Sequence, residues 1–278
     1  MKFSDKMKNL LIYVNPSKCF GDEEAIAVRI HIDNSLDLGW KREDIMLVTN
    51  FDYEYNGVKS LVVGDDNYCS FHPPASKINV IIDLFEKGLI KKGESYWYHG
   101  FAEYQLHNII PAELELNKAD MFLPDFGRLP RWSSGSIFFN ERAVDIFSWI
   151  KDIVYKYKTE EEAALGILTG QDSRIDIDGD EAVWAKGYTL LDKPEIKNIN
   201  ERIRRANITY NFHSGNIRSN YPVALKPIRV ARLHFMDRVS PLGPKPNEID
   251  FFLHGENKLG VQIVPDRLVK IFNKHGIK

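Results

Sequence analysis

Apolar residues recur along this chain with two periods, and the first half alternates between them. Leu10–Val14 is an unbroken apolar, β-prone run, the pattern of a strand covered on both faces. A turn-rich stretch follows, in which Asp22 caps a predicted helix through about Ser35, stopped near Gly39. Ile45–Thr49 and Ser60–Gly64 read as short strands. From Ser76, apolar Ile78, Ile81, Ile82, Phe85 and Leu89 recur at helical spacing, and Ser95–His99 is an aromatic strand. Further on, strands are predicted at 120–127, 136–139 and 228–235, and helices at 141–158, 160–169, 195–206 and 265–274. The βαβ rhythm implies an α/β fold: one domain, a mostly parallel twisted sheet with helices on both faces. Ser240–Pro246 is a Pro/Gly linker, so 239–278 is expected to be a short C-terminal appendage to a domain at 1–238.

Composition narrows the class but not the chemistry. With 44% hydrophobic and 27% charged residues, the 278-residue chain is an ordinary globular protein. Its 37 basic and 39 acidic residues leave a net charge of −2, which gives no reason to expect nucleic acid as a partner. Two cysteines far apart fit a reducing compartment, and no apolar run spans a membrane, so a cytoplasmic protein is expected. Phosphate-binding P-loop, dinucleotide GxGxxG, HExxH and GxSxG motifs are all absent. Asp176–Asp180 lacks the spacing of a calcium loop.

The order of the remaining segments is more telling. YVNPSKCF, VTNFDYEYNG, SYWYHGFAEYQ, RWSSGSIFF, EEEAALGILT and RVARLHFMD together resemble the GT-A glycosyltransferases, which use nucleotide-diphosphosugars. The resemblance implies a nucleotide-binding half at about 1–110 and a sugar/acceptor half at about 111–238. It implies a nucleotide-sugar donor and a hydroxyl acceptor as partners. Asn15, Asn50, Asp52, Lys77, His99, Gly100, Glu103, Arg229 and Arg232 are its nucleotide-binding candidates. Arg131, Trp132, Ser134 and Gly135 are its sugar/acceptor loop, with Trp132 a stacking face or a core residue. Glu161 and Glu162 are the catalytic candidates, since a carboxylate there could activate an acceptor hydroxyl; acidic residues in a first helical turn also arise from the helix dipole alone.

One departure stands out. The family's Asp-x-Asp pair, which holds Mn²⁺ or Mg²⁺ against the diphosphate, is replaced here by Gly100-Phe101-Ala102 and then Glu103. Three readings follow. Glu103, with His234, forms a weak cation site; or arginines such as Arg232 replace the metal; or catalysis has been lost and a nucleotide-sugar or glycan-binding protein remains. A nucleotidyltransferase is a third functional class, disfavoured by the missing Gly-rich loop after the first strand.

Overall fold

The computed structural model describes residues 7–114, 118–124, 132–170, 173–177, 181–185, 198–212, 227–233, 238–240, 243–245 and 264–277. The chain starts with β1 (Met7–Tyr13), α1 (Asp22–Asp37) and β2 (Ile45–Thr49). It continues through β3 (Glu54–Tyr55), β4 (Val58–Val62), α2 (Ser76–Glu86), β5 (Ser95–His99) and β6 (Glu103–Gln105). Next come α3 (Pro111–Leu114), β7 (Met121–Leu123), β8 (Ser136–Asn140), α4 (Val144–Tyr157) and α5 (Glu161–Leu168). The hairpin of β9 (Ser173–Ile177) and β10 (Glu181–Ala185) precedes β11 (Ile203–Arg205) and β12 (Val230–Arg232). A second hairpin, β13 (Arg238–Ser240) with β14 (Gly243–Lys245), and α6 (Asp266–Lys274) complete the described chain.

Eight strands form one sheet in the order β11-β7-β8-β5-β1-β2-β4-β3. The pairs β5–β1, β1–β2, β2–β4 and β11–β7 are parallel, whereas β8 runs antiparallel to both β5 and β7. This is the mostly parallel sheet anticipated from the βαβ rhythm. From β1 the chain moves to β2 on one side and later to β5 on the other, so the carboxyl ends of β1 and β5 flank a topological switch point, where open α/β sheets bind ligands. Short β6 and β12 pair antiparallel outside the main sheet, with Arg232 in register with Glu103.

The largest core packs α2, α4 and α5 on one sheet face through Ile78, Ile81, Phe147, Ile150 and Leu165. On the other, α1 presents Val28 and Ile32 to Leu11 and Leu47. A different side of α1 meets α6, where Ala27 and Ile30 join Leu268 and Phe272. That second contact explains why α1 buries Asp33 and Asn34, whereas His31 is covered by His99 and Tyr104 and Ser35 by Asn9. Arg267 donates to Asn34 Oδ1 at 2.6 Å, and Lys274 and His275 reach Asp33 at 2.7 and 2.8 Å. Among the described residues no helix is long and apolar enough to cross a membrane.

The predicted helix at 195–206 is corrected. Of its described residues, 198–200 are helical, and the chain then turns into β11 beside β7, while 195–197 lie outside the described residues. Backbone pairing with β7 wins over local pattern: Ile203 is buried against the sheet while Arg204 and Arg205 stay exposed at its edge. The strand expected at 60–64 lies at 58–62, and of 120–127 residues 121–123 are strand while 125–127 fall outside the described residues.

Candidate active site

Alternation along β5 decides which of its residues face the switch point. Tyr96 and Tyr98 project toward the α2 side, and Trp97 and His99 toward α1. His99 is thereby enclosed: its ring nitrogens lie 2.7 Å from Asn9 Oδ1 and 3.1 Å from the Glu103 carbonyl, and it packs against His31. Burial, then the neighbouring His31, depresses the His99 pKa well below the usual imidazole value, and burial lowers His31 to about 4. Both rings are neutral parts of the core.

Tyr98 is the residue of β5 that reaches the site, and sequence reasoning passed it over. Beyond it the chain turns through Gly100, whose N–H donates to the Gly135 carbonyl at 2.9 Å. Glu103, buried, lays its carboxylate between these two glycines, and a methyl group added to either would land on it. This close approach is the physical reason for glycine at both positions. The in-register Arg232 places Nε 3.7 Å from Glu103 Oε1. Beside them, fully buried Asn211 donates to Ser133 Oγ at 2.8 Å, and its amide oxygen has no hydrogen-bond partner.

A second charged group adjoins the first. Lys77, in the first turn of α2, is buried, its ammonium paired with the Glu161 carboxylate and 3.1 Å from Ser134 Oγ. Glu161 also takes His72 Nε2 at 3.0 Å and the Ser134 hydroxyl at 2.8 Å. Burial opposes the charge on both partners, yet their attraction prevails: Glu161 is held well below the usual carboxyl range and Lys77 well above the usual amine value. Glu162, half-buried, accepts from the Ser134 N–H at 2.9 Å. Burial, aided by the charge on Glu161 and resisted by that N–H, pushes Glu162 up to about 7. Two neighbouring carboxylates are thus separated in function: one is a permanent anion, the other exchanges its proton near neutrality.

At the ends of β1 and β2, Asn15 and Asn50 brace each other. The Asn15 N–H donates to Asn50 Oδ1 at 3.0 Å, and Asn50 Nδ2 donates to the Asn15 carbonyl at 2.9 Å and to Asp65 at 2.8 Å. Asp52 is exposed. Around them stands a half-buried cluster of rings, Tyr13, Phe20, Phe51, Tyr53 and Phe101, with neighbouring centroids 4.9–6.4 Å apart. The aromatics of YVNPSKCF, VTNFDYEY and HGFAEY were its only signal.

Other candidates are placed elsewhere. Trp132 is a core residue, its indole N–H donating to Thr169 Oγ1 at 2.8 Å and its ring covered by the Arg205 guanidinium 4.4 Å away. Arg229 is turned toward α3, where it pairs with Glu113 at 3.2 Å. Arg131 and His234 lie outside the described residues. The structure therefore gathers Lys77, Glu103, Ser134, Gly135, Glu161, Glu162 and Arg232 around Tyr98.

A divalent cation fits this arrangement poorly. Gly100 and Ala102 carry no donor, and Glu103 is a single carboxylate already facing an arginine. Among the described residues no three His, Cys, Asp or Glu side chains converge. Mg²⁺ at a nucleotide site is held by one or two free carboxylates together with the phosphates, and here Glu103 is already engaged by a cation.

No protein-family model and no curated protein matches the chain. Solved structures do. The galactosyltransferase LgtC, crystallised with donor and acceptor sugar analogues, aligns at a TM-score of 0.52 and 11% identity over 96% of both chains. The glycosyltransferase GlyE of Streptococcus pneumoniae TIGR4 aligns at 0.51 and 10% identity, over 98% of this chain and 65% of its own. At such identity the likeness is one of architecture: the chain has the GT-A glycosyltransferase fold.

Proposed function

We propose that the protein transfers a sugar from a nucleotide-sugar donor to a hydroxyl acceptor, and that it does so without a divalent cation. The observation that carries this reading is the pairing of Glu162, poised near neutrality, with the fixed Lys77–Glu161 ion pair at the carboxyl ends of the parallel strands. In this reading the half-buried rings around Phe20 offer faces to the nucleobase, and Asn15 and Asn50 shape the floor beneath it. Arg232, one-third exposed and with Nε toward Glu103, supplies positive charge to the diphosphate where a metal would otherwise sit. Glu162 accepts the acceptor hydroxyl proton as its oxygen bonds to the anomeric carbon, and the bonding pair of the broken glycosyl–phosphate bond leaves with the nucleoside diphosphate. Lys77 and Glu161 hold Ser134, and Ser134 holds Glu162.

The test is release of the nucleotide leaving group, a nucleoside diphosphate from UDP-, GDP- and dTDP-sugars and CMP from CMP-sugars, in EDTA, with oligosaccharide acceptors and without. Turnover of one donor that falls at least about a hundredfold in Glu162→Gln supports the reading, as expected for loss of general acid–base catalysis. Binding of a donor without any turnover would make the protein a nucleotide-sugar-binding module instead. Failure of every donor to bind would refute both.

A further inference from the structure

The strands β1, β5, β7 and β11 all point the same way, so the carboxyl end of β11 lies on the side of the sheet that holds the candidate site. Ser134, which holds Glu162, leads into β8. In the strand order, β1 and β11 each stand two places from β8, on opposite sides and roughly 10 Å away. With the nucleotide over β1 and β2, as in the reading above, the β7–β11 side is left for the acceptor.

Two cavities lie there. One, of about 350 Å³, is lined by Trp132, Thr169, Asn200, Glu201, Arg204 and Arg205. The other, of about 260 Å³, is lined by Glu113, Lys118, Phe122, Asn207 and the same two arginines. The arginines are shared because β11 is the edge strand among the described residues. Alternation places Arg204 on the face of its register partner Phe122, and Arg205 on that of Leu123. The first cavity adjoins the catalytic group, since the chain from Trp132 to Ser134 spans at most about 7 Å.

The charged groups here differ in how far they are committed. Arg202, just before β11, is held by Asp120 and Asp145. Arg205 covers the Trp132 ring at 4.4 Å. Glu113 accepts from the Tyr210 hydroxyl at 2.6 Å and from Arg229 at 3.2 Å. Arg204 is exposed, and its guanidinium has no ion pair or hydrogen bond among the described residues. The cavities are too large for a bare ion and reach the size of a small-ligand site. Their amides, the Thr169 hydroxyl and the Phe122 ring suit a sugar, while a planar guanidinium grips a carboxylate or phosphate oxygen pair.

We propose that the two cavities at the β11 edge bind an anionic saccharide, that Arg204 meets its carboxylate or phosphate, and that this saccharide is the acceptor. The site stands on the cavities and Arg204; its role in transfer rests on the functional reading above.

Heteronuclear NMR titration of the full chain, without nucleotide, tests the site through the Trp132 indole and Arg204 Nε–H signals. The probes are glucose, glucuronate, glucose 6-phosphate and inorganic phosphate. One of the two anionic sugars should bind at least about tenfold tighter than glucose and than inorganic phosphate, the scale of one charge-assisted hydrogen bond, and the tighter of the two identifies the anion. Arg204→Ala should bring that sugar within about twofold of glucose, and Arg204→Lys should restore part of the preference, both with an unchanged melting temperature. Glucose or inorganic phosphate binding as tightly as the better anionic sugar, or a preference that survives Arg204→Ala, would overturn the site. In turnover with the preferred donor, the same sugar should be at least about tenfold more effective than glucose as acceptor, and Arg204→Ala should remove that gain without changing donor hydrolysis. Acidic sugars that bind as predicted while no donor binds would refute transfer and keep the saccharide site. Donor turnover with no preference for acidic sugars would refute the site and keep transfer.

Discussion

Replacing Lys77 by methionine isolates the electrostatic heart of the site. The two side chains of the Lys77–Glu161 pair are 7% and 4% exposed, so neither charge is hydrated. Two charges about 4 Å apart attract by roughly 4 kcal/mol at an effective dielectric of 20, which offsets much of the desolvation of both. Methionine fills similar volume and removes the charge together with the ammonium's hydrogen bond to Ser134 Oγ. Glu161 then keeps His72 at 3.0 Å and the Ser134 hydroxyl at 2.8 Å, two hydrogen bonds but no permanent cation. Breaking a buried pair on one side costs about 3–5 kcal/mol, a large part of the stability of any domain. The loss depends on pH, and its sign is fixed. In the intact protein the Glu161 carboxyl is held below its unfolded value of 4.5, so its stabilisation is present above that pH and fades as pH falls through the folded value. Without Lys77, burial raises the carboxyl instead, and folding then favours the protonated form. The penalty of Lys77→Met therefore grows as pH rises from 5 to 8. Urea unfolding followed by tryptophan fluorescence measures it, and Lys77→Met/Glu161→Gln should recover at least about half of the loss, since no buried charge remains. A single-variant cost under about 1 kcal/mol, or simple additivity in the double variant, would refute the claim that this pair is buried and mutually dependent.

Three further outcomes concern Glu162 and Asp33. Because Glu162 titrates at about 7, donor turnover should rise with pH through that value and lose this limb in Glu162→Gln. The same group makes the protein less stable as pH climbs from its unfolded value of 4.5 toward 7, by up to about 1.4 kcal/mol per pH unit, because the folded form binds the extra proton; Glu162→Gln should flatten that slope in urea unfolding. Asp33, which accepts from Lys274, His275, Tyr55 and Asn56, ties α6 to α1; Asp33→Ala should cost about 2–3 kcal/mol and speed amide exchange in residues 266–274 before the sheet.

Much of the scaffold is legible in periodicity because those elements bury one face or both. The strand at 10–14, the aromatic strand at 95–99 and the helices over 76–86 and 144–157 all announce themselves this way. What sequence leaves open is set by distant partners. Lys77, a nucleotide-binding candidate by sequence, shows its actual partner only when Glu161, 84 residues away, is brought against it. The polar side of α1 reads as solvated until α6, more than 200 residues on, covers it. Within Tyr98-His99 the histidine draws attention as the more reactive type, but both faces of β5 are covered and alternation alone does not say which one carries the site. Residues 203–205 lack strand pattern altogether and are strand because β7 offers its edge.

Calorimetry of the preferred nucleotide-sugar, first in EDTA and then with excess Mn²⁺, tests the central claim most directly. The account predicts equal affinity in both buffers and a loss of at least about tenfold in Arg232→Ala, the cost of removing a charge-assisted contact to phosphate. Binding that disappears in EDTA or in Glu103→Ala, and is indifferent to Arg232→Ala, would contradict it and place a cation at Glu103.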